Sequence, residues 1–97
     1  MILTLDQIKE NLRIDGNAED ALLERLCASA TASAEDYCRR SFSCPDTIVP
    51  EPVRSAVMIR VSYDYTNREA DNEIGYKCMM MAFHSLLGPY RDEELML

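Results

Sequence analysis

The side chains that could carry catalysis or bind a metal are one histidine, four cysteines and a few acidic residues. No Ser, Cys or carboxylate stands at a spacing that would make His84 a catalytic base. One histidine is also too little to complete a familiar zinc pattern, because the cysteines include no Cys-x-x-Cys pair. In a reducing cytoplasm, cysteines on helix faces usually serve as small buried apolar groups. We interpret the four cysteines in this way: Cys27, Cys38, Cys44 and Cys78.

The acidic residues do not form an arrangement that is typical of catalysis. The pairs Glu19-Asp20 and Glu35-Asp36 lie on one predicted helix, which usually indicates a solvent-facing surface. Asp15 precedes Gly16 and is explained by a turn. The sequence contains no Gly-rich phosphate-binding loop. We therefore predict that the protein is not an enzyme and that it has no catalytic residues, no cofactor and no metal site.

Length and charge limit the possible functions further. The 97 residues predict a single domain over 1–97, and the formal net charge is −7. The ten basic residues are scattered, with Arg39-Arg40 as the only adjacent pair, so a module that grips a phosphate backbone is not expected. No apolar run approaches the roughly 20 residues of a membrane span, and the N-terminal residues lack signal-peptide features. We expect the protein to act inside the cell that makes it, with no membrane partner.

Start and stop signals along the chain predict an all-α bundle of about four helices. Thr4 and Gln7 form a capping box for a short first helix, which should end near Asp15-Gly16. Asn17 is the expected N-cap of a long second helix that runs to about Arg40.

The second half of the chain predicts two further helices and a tail. Pro52 suits the first turn of a third helix, whose body runs from Val53 to about Asn67. A fourth helix is expected over roughly Asn72 to Leu87, where Gly88 and Pro89 should stop it. We expect the tail over 90–97 to be mobile when the protein is free.

The third helix has apolar residues over most of its circumference. Val57 and Val61 share one side, and Tyr65 lies beyond its edge. Arg60 and Asp64 are four residues apart within that side and can form an ion pair there. In a chain of this size, one side of a helix is expected to pack in the core, and apolar residues on a second side need an explanation. We therefore predict a subunit contact on this helix through Val57, Val61 and Tyr65.

Two other helices carry patterns with more ordinary explanations. The run of small residues over 28–34 in the second helix fits a close neighbour within the chain as well as it fits a subunit contact. In the fourth helix an apolar stripe predicts core, while Met81 points to the far side. The stripe consists of Tyr76, Met79, Met80, Phe83, Leu86 and Leu87.

Several short patterns follow one another in an order that resembles the head–tail connector (adaptor) proteins of tailed phages, also described as possible DNA-packaging proteins. The patterns are Thr4-Leu5-x-x-Ile8-Lys9-x-x-Leu12-Arg13-Ile14-Asp15, Glu19-Asp20-Ala21-Leu22-Leu23, Glu35-Asp36-Tyr37, Pro50-x-Pro52-Val53-Arg54-x-Ala56-Val57, Tyr63-x-Tyr65-x-Asn67-Arg68-Glu69 and Leu86-Leu87-x-Pro89-Tyr90-Arg91. They extend from Thr4 to Arg91. The cysteines and the Met run are not part of the resemblance.

The resemblance implies a structural virion protein at the head–tail junction, assembled in the cytoplasm of the bacterial host. Such a protein forms a homo-oligomeric ring of about a dozen copies. The ring lies under the portal protein, extends the DNA channel and receives the next neck or tail component. DNA passes through it without specific binding. The alternative from the residues alone is a small helical protein-interaction or regulatory module that acts as a monomer or dimer.

Two further segments receive roles as hypotheses beside this resemblance. Asn67, Arg68 and Glu69 are expected to hold the corner after the third helix by side-chain hydrogen bonds. The tail is expected to dock on the portal, through Tyr90, Arg91, Leu95 and Leu97.

Overall fold

The structure, a computed structural model, describes residues 3–40, 42, 49–66 and 73–90. These residues form four α-helices and no strand, which confirms the predicted all-α bundle. The helices are α1 (Leu5–Leu12), α2 (Asp20–Cys38), α3 (Glu51–Thr66) and α4 (Glu73–Leu87), and a 3-10 turn (Gly88–Tyr90) follows α4.

The first helix begins as the sequence predicts but ends earlier. Thr4 Oγ1 accepts a hydrogen bond from the Gln7 backbone N–H at 3.1 Å, and Gln7 Oε1 accepts one from the Thr4 backbone N–H at 3.0 Å. The helix ends at Leu12, with Arg13 as a left-handed C-cap at φ 58°. Gly16 also has positive φ, at 89°, but it lies in the turn that follows. The prediction that α1 ends at Gly16 is therefore corrected.

Both ends of α2 also differ from the prediction. The N-cap is Glu19 rather than Asn17. Asn17 Oδ1 instead accepts a hydrogen bond from Lys9 Nζ at 3.0 Å, and the same ammonium pairs with Asp20, so a contact with α1 sets the start of this helix. At the other end the helix stops at Cys38, because Arg39 adopts a left-handed C-cap conformation at φ 57°.

The helix α3 lies between α2 and α4 and packs against both. Asn11 Nδ2 donates to Ser62 Oγ at 2.9 Å and ties α1 to α3. The predicted Arg60–Asp64 pair is present at 3.3 Å. The Arg60 guanidinium also lies 5.8 Å from the ring centre of Tyr76 on α4. The charged side chain thus packs at the boundary between α3 and α4.

The core contains residues from all four helices. Its largest completely buried side chains are Phe83, Ile8, Leu23, Leu87, Val53, Val57, Val61, Cys27 and Cys38. Val57 and Val61 therefore lie in the core of a single chain, with no exposed surface. Their apolarity does not need a second copy to cover it, which corrects the reasoning behind the predicted subunit contact.

Candidate functional site

Three of the candidate residues for chemistry occupy structural positions, and they are His84, Cys27 and Cys38. Cys78 is exposed, so its interpretation as a buried apolar group is wrong, and Cys44 lies outside the described residues. The His84 ring stacks on Tyr37, with ring centres 4.3 Å apart and planes inclined by 15°. Cys38 is buried, and its Sγ lies 3.7 Å from the Leu87 carbonyl oxygen, which accepts a weak hydrogen bond from it. Cys27 is buried as well, and its Sγ lies 4.0 Å from Thr31 Oγ1. The Tyr37–His84 and Cys38–Leu87 contacts hold α2 against α4, whereas Cys27 fills the core and contacts its own helix.

The acidic residues also take part in structural contacts. Glu35 Oε2 accepts a hydrogen bond from the Phe42 backbone N–H at 2.8 Å, so this carboxylate orders the chain after α2. Asp20 pairs with Lys9, whereas Asp36 is exposed. Within residues 3–40, 42, 49–66 and 73–90, no three His, Cys, Asp or Glu side chains come together in a way that could hold a metal ion. From the sequence, all these acids were interpreted as one solvated face, and the contact of Glu35 with the Phe42 backbone was therefore not predicted.

A shallow groove between α1 and α3 has a volume of about 410 Å³. Met58 contributes apolar surface, and the charged groups are Glu10, Glu51 and Arg54. The arginine pairs with Glu51 at 3.7 Å, so the groove holds an ion pair rather than a nucleophile with a base. This arrangement has no evident reaction chemistry.

The predicted subunit-contact residues differ in their exposure. Val57 and Val61 are completely buried, whereas Tyr65 is half-buried at the end of α3. The two valines leave no side-chain surface for a neighbouring copy in this conformation. The subunit contact predicted through Val57, Val61 and Tyr65 is not tested by the structure of one chain and stays a prediction.

The exposed apolar surface lies mainly on α4. The large apolar side chains with most exposure among the described residues are Ile74 at 78%, Met81 at 72% and Tyr76 at 43%. Ile74, Cys78 and Met81 are spaced by four and three residues, so they form one line on the helix, and Cys78 is exposed too. The prediction that Met81 points to the far side is confirmed, whereas the prediction that Tyr76 lies in the core is wrong. The spacing of Ile74, Cys78 and Met81 was the signal that could have identified the whole line.

A second outward surface lies on α2 and consists mainly of small residues. Ala21, Arg25, Ala28 and Ala32 are all exposed, and their spacing of four, three and four residues puts them on one side of the helix. Ser29, also exposed, lies beside them. The buried side of the same helix carries Leu23 and faces the core. Part of the small-residue run therefore faces away from the bundle.

A model of the phage gp6-like head-tail connector protein family matches residues 2–91 of the 97. The match covers nearly the whole chain, including all four helices. The chain belongs to this family. The resemblance seen in the sequence is thereby confirmed. Comparisons with curated proteins and with solved structures find no significant match.

Family membership makes the connector a structural component of a phage virion that joins the head to the tail. Its described helices include none that is long and apolar enough to cross a bilayer.

Two segments with predicted roles fall outside the described residues. Asn67, Arg68 and Glu69 all lie there, and so do Arg91, Leu95 and Leu97 of the tail. Tyr90 is described, and its carbonyl oxygen accepts a hydrogen bond from Arg40 Nη1 at 3.1 Å. This contact fixes the point from which the connector's tail leaves the bundle, beside the C-terminal end of α2. No local signal in the sequence predicts this contact, because the two residues are 50 positions apart.

Proposed function

We propose that this connector forms a homo-oligomeric ring of about a dozen copies under the portal protein. The ring extends the DNA channel and presents a platform to the next neck or tail component. Its role is structural and includes no catalysis. The observation that carries this proposal is the family match over residues 2–91. The exposed apolar line on α4 supports it, because a protein that works only as a monomer has no need for that surface.

The charge distribution supports a channel through which DNA passes without specific binding. The net charge is −7, so the electrostatic interaction with phosphates is repulsive overall. In the described part of the chain, at least four basic residues also pair with carboxylates, which leaves fewer cations for phosphates. The pairs are Lys9–Asp20, Arg54–Glu51, Arg60–Asp64 and Lys77–Glu73.

The tail is the part of the chain that we propose docks on the portal. Tyr90, at its start, is held to Arg40 by a hydrogen bond, so the tail leaves the bundle at a fixed point. The residues that follow combine acids with Leu95 and Leu97, a composition suited to a segment that orders on binding. In the same proposal, Asn67, Arg68 and Glu69 hold the corner after α3 and do not bind a partner.

Imaging by electron microscopy tests the proposal directly. The connector is mixed with a purified portal ring, and particles are compared with those of portal alone and connector alone. We expect a second ring stacked on the portal, with the same axis. A connector that stays as one or two chains at every concentration and leaves the portal bare would contradict the proposal. That result would favour the interaction or regulatory module instead.

A further inference from the structure

We propose that Arg40 couples the start of the tail to Phe42, so that docking of the tail on the portal tightens the chain just after α2. Arg40 makes a contact in each direction. Its Nη1 donates to the Tyr90 carbonyl oxygen at 3.1 Å, and its guanidinium carbon lies 5.8 Å from the ring centre of Phe42. The inference rests on the proposed docking of the tail and adds a regulatory contact to it.

Phe42 and Arg40 are both held by the last turns of α2. The Phe42 side chain is 4% exposed and belongs to the core, while its backbone N–H donates to Glu35 Oε2 at 2.8 Å. The backbone carbonyl oxygen of the same Glu35 accepts a hydrogen bond from the Arg40 N–H at 3.3 Å. Because one residue anchors both, a change at Arg40 also affects Phe42.

Tyr90 lies at the other end of the link, outside the helices. The helix α4 stops at Leu87, and Tyr90 is the last residue of the 3-10 turn that follows. The end of α4 is held on α2 by Cys38, whose Sγ lies 3.7 Å from the Leu87 carbonyl oxygen. A shift of Tyr90 can therefore change its bond to Arg40 while the packing of α4 on α2 stays the same.

This geometry links docking to the anchoring of Phe42. If docking orders the residues after Tyr90, it restrains Tyr90 and favours the state in which Arg40 is bonded to it. The guanidinium then stays over the Phe42 ring, and the Phe42 N–H leaves Glu35 less often. Such a coupling is reciprocal for binding equilibria. Because Arg40 is exposed and water competes for its hydrogen bonds, we expect an effect of about fivefold, at the weak end of coupling between sites.

The two contacts of Arg40 need a guanidinium. Its planar face can lie over an aromatic ring while the N–H groups at its edge donate to an oxygen. The ammonium of lysine is a point charge without a plane. Arg40→Lys should therefore keep the charge but only part of the coupling, and Arg40→Ala should lose all of it.

The first measurement is amide hydrogen exchange in the free connector. Gln7 supplies a matched control amide, because its N–H also donates to a side-chain oxygen, Thr4 Oγ1 at 3.1 Å, but lies on α1. We expect Arg40→Ala to raise the exchange rate of the Phe42 amide about fivefold and Arg40→Lys to raise it less, with the Gln7 rate unchanged. A Phe42 rate equal to that of the native protein in Arg40→Ala would overturn the proposal.

The second measurement repeats the exchange with the connector docked on a purified portal ring. Docking should slow exchange at Phe42 about fivefold in the native protein but leave it unchanged in Arg40→Ala. Arg25→Ala, which removes an exposed arginine from the outward side of α2, should behave like the native protein. A residue with only a structural role would alter the free rate but not the ratio of free to docked rates. Equal slowing in Arg40→Ala would therefore overturn the proposal.

The reciprocal effect is measured as affinity for the portal. Glu35→Ala removes the acceptor of the Phe42 N–H, so we expect the Kd for the portal to rise about fivefold, with an unchanged circular dichroism spectrum. Glu35→Gln keeps an oxygen that can accept this bond and should dock like the native protein. Native affinity in Glu35→Ala would contradict the coupling.

The outcomes separate this inference from the proposed function. Native connector that docks on the portal without slowing exchange at Phe42 would overturn the coupling and leave the docking intact. Native connector that leaves the portal bare would overturn both, whatever the exchange rates in the free protein.

Discussion

Replacing Val61 with alanine tests whether the apolarity of α3 is used within one chain. Val61 has no exposed surface and lies in the core with Val57 and residues from the other helices. If burial of Val61 within one chain stabilises the protein, the substitution must lower the free energy of unfolding even in a dilute monomer. If Val61 needed a second copy to be covered, the cost would appear only when the copies associate.

The magnitude follows from the groups removed. Val61→Ala deletes two buried carbon groups, each worth about 0.8 kcal/mol in transfer free energy, and the cavity that remains adds to this. We expect a loss of about 2 kcal/mol. In a domain of this size that corresponds to a decrease in Tm of roughly 8–16 °C.

Chemical denaturation followed by circular dichroism at low protein concentration measures this loss. Met81→Ala is the matched control, because Met81 on α4 is 72% exposed. Its free energy of unfolding should stay within about 0.5 kcal/mol of the native protein. Both measurements are repeated at a tenfold higher concentration, and the value for Val61→Ala should not change.

The reasoning is refuted if Val61→Ala costs less than about 0.5 kcal/mol in the monomer. It is also refuted if the loss appears only at the higher concentration. Either result would place Val61 at a boundary between copies and restore the contact predicted from the sequence.

Four further predictions concern the caps, the tail and DNA. Thr4→Ala removes the capping box and should cost about 1 kcal/mol in denaturation, while Thr4→Ser should cost less. Arg13→Gly should stabilise the protein by about 0.5–1 kcal/mol, because φ is 58° there, and Arg13→Ala should not. Truncation after Arg91 should abolish docking on the portal in a pull-down but leave the monomer's Tm unchanged. A fluorescence titration should show no salt-sensitive binding of duplex DNA, and binding that weakens steeply with salt would contradict the channel proposal.

Local signals in the sequence were sufficient to predict four helices and several of their details. The Thr4 capping box, the stop at Gly88-Pro89 and the Arg60–Asp64 pair all involve residues within four positions of each other. Interactions at such short separations depend on the helix itself and little on the rest of the fold. The family could also be identified from the sequence, because its pattern lies in the order of short motifs along the chain.

Helix ends were less predictable where another part of the chain intervenes. Asn17 is a good N-cap residue, yet its side chain bonds Lys9, and the start of α2 moves to Asp20. Arg13 and Arg39 adopt left-handed C-cap conformations that residue preference assigns to glycine. Propensity is a weak guide at these positions because tertiary contacts outweigh it.

The location of the uncovered apolar surface was decided only by the tertiary structure. The sequence shows that α3 and α4 both have apolar residues on more than one side. It does not show that α3 lies between α2 and α4, which buries Val57 and Val61, or that α4 lies at the edge, which exposes Ile74 and Met81. Periodicity reveals which residues share a side of a helix. Which sides are covered depends on neighbouring helices that are distant in sequence, and only the folded chain brings them together.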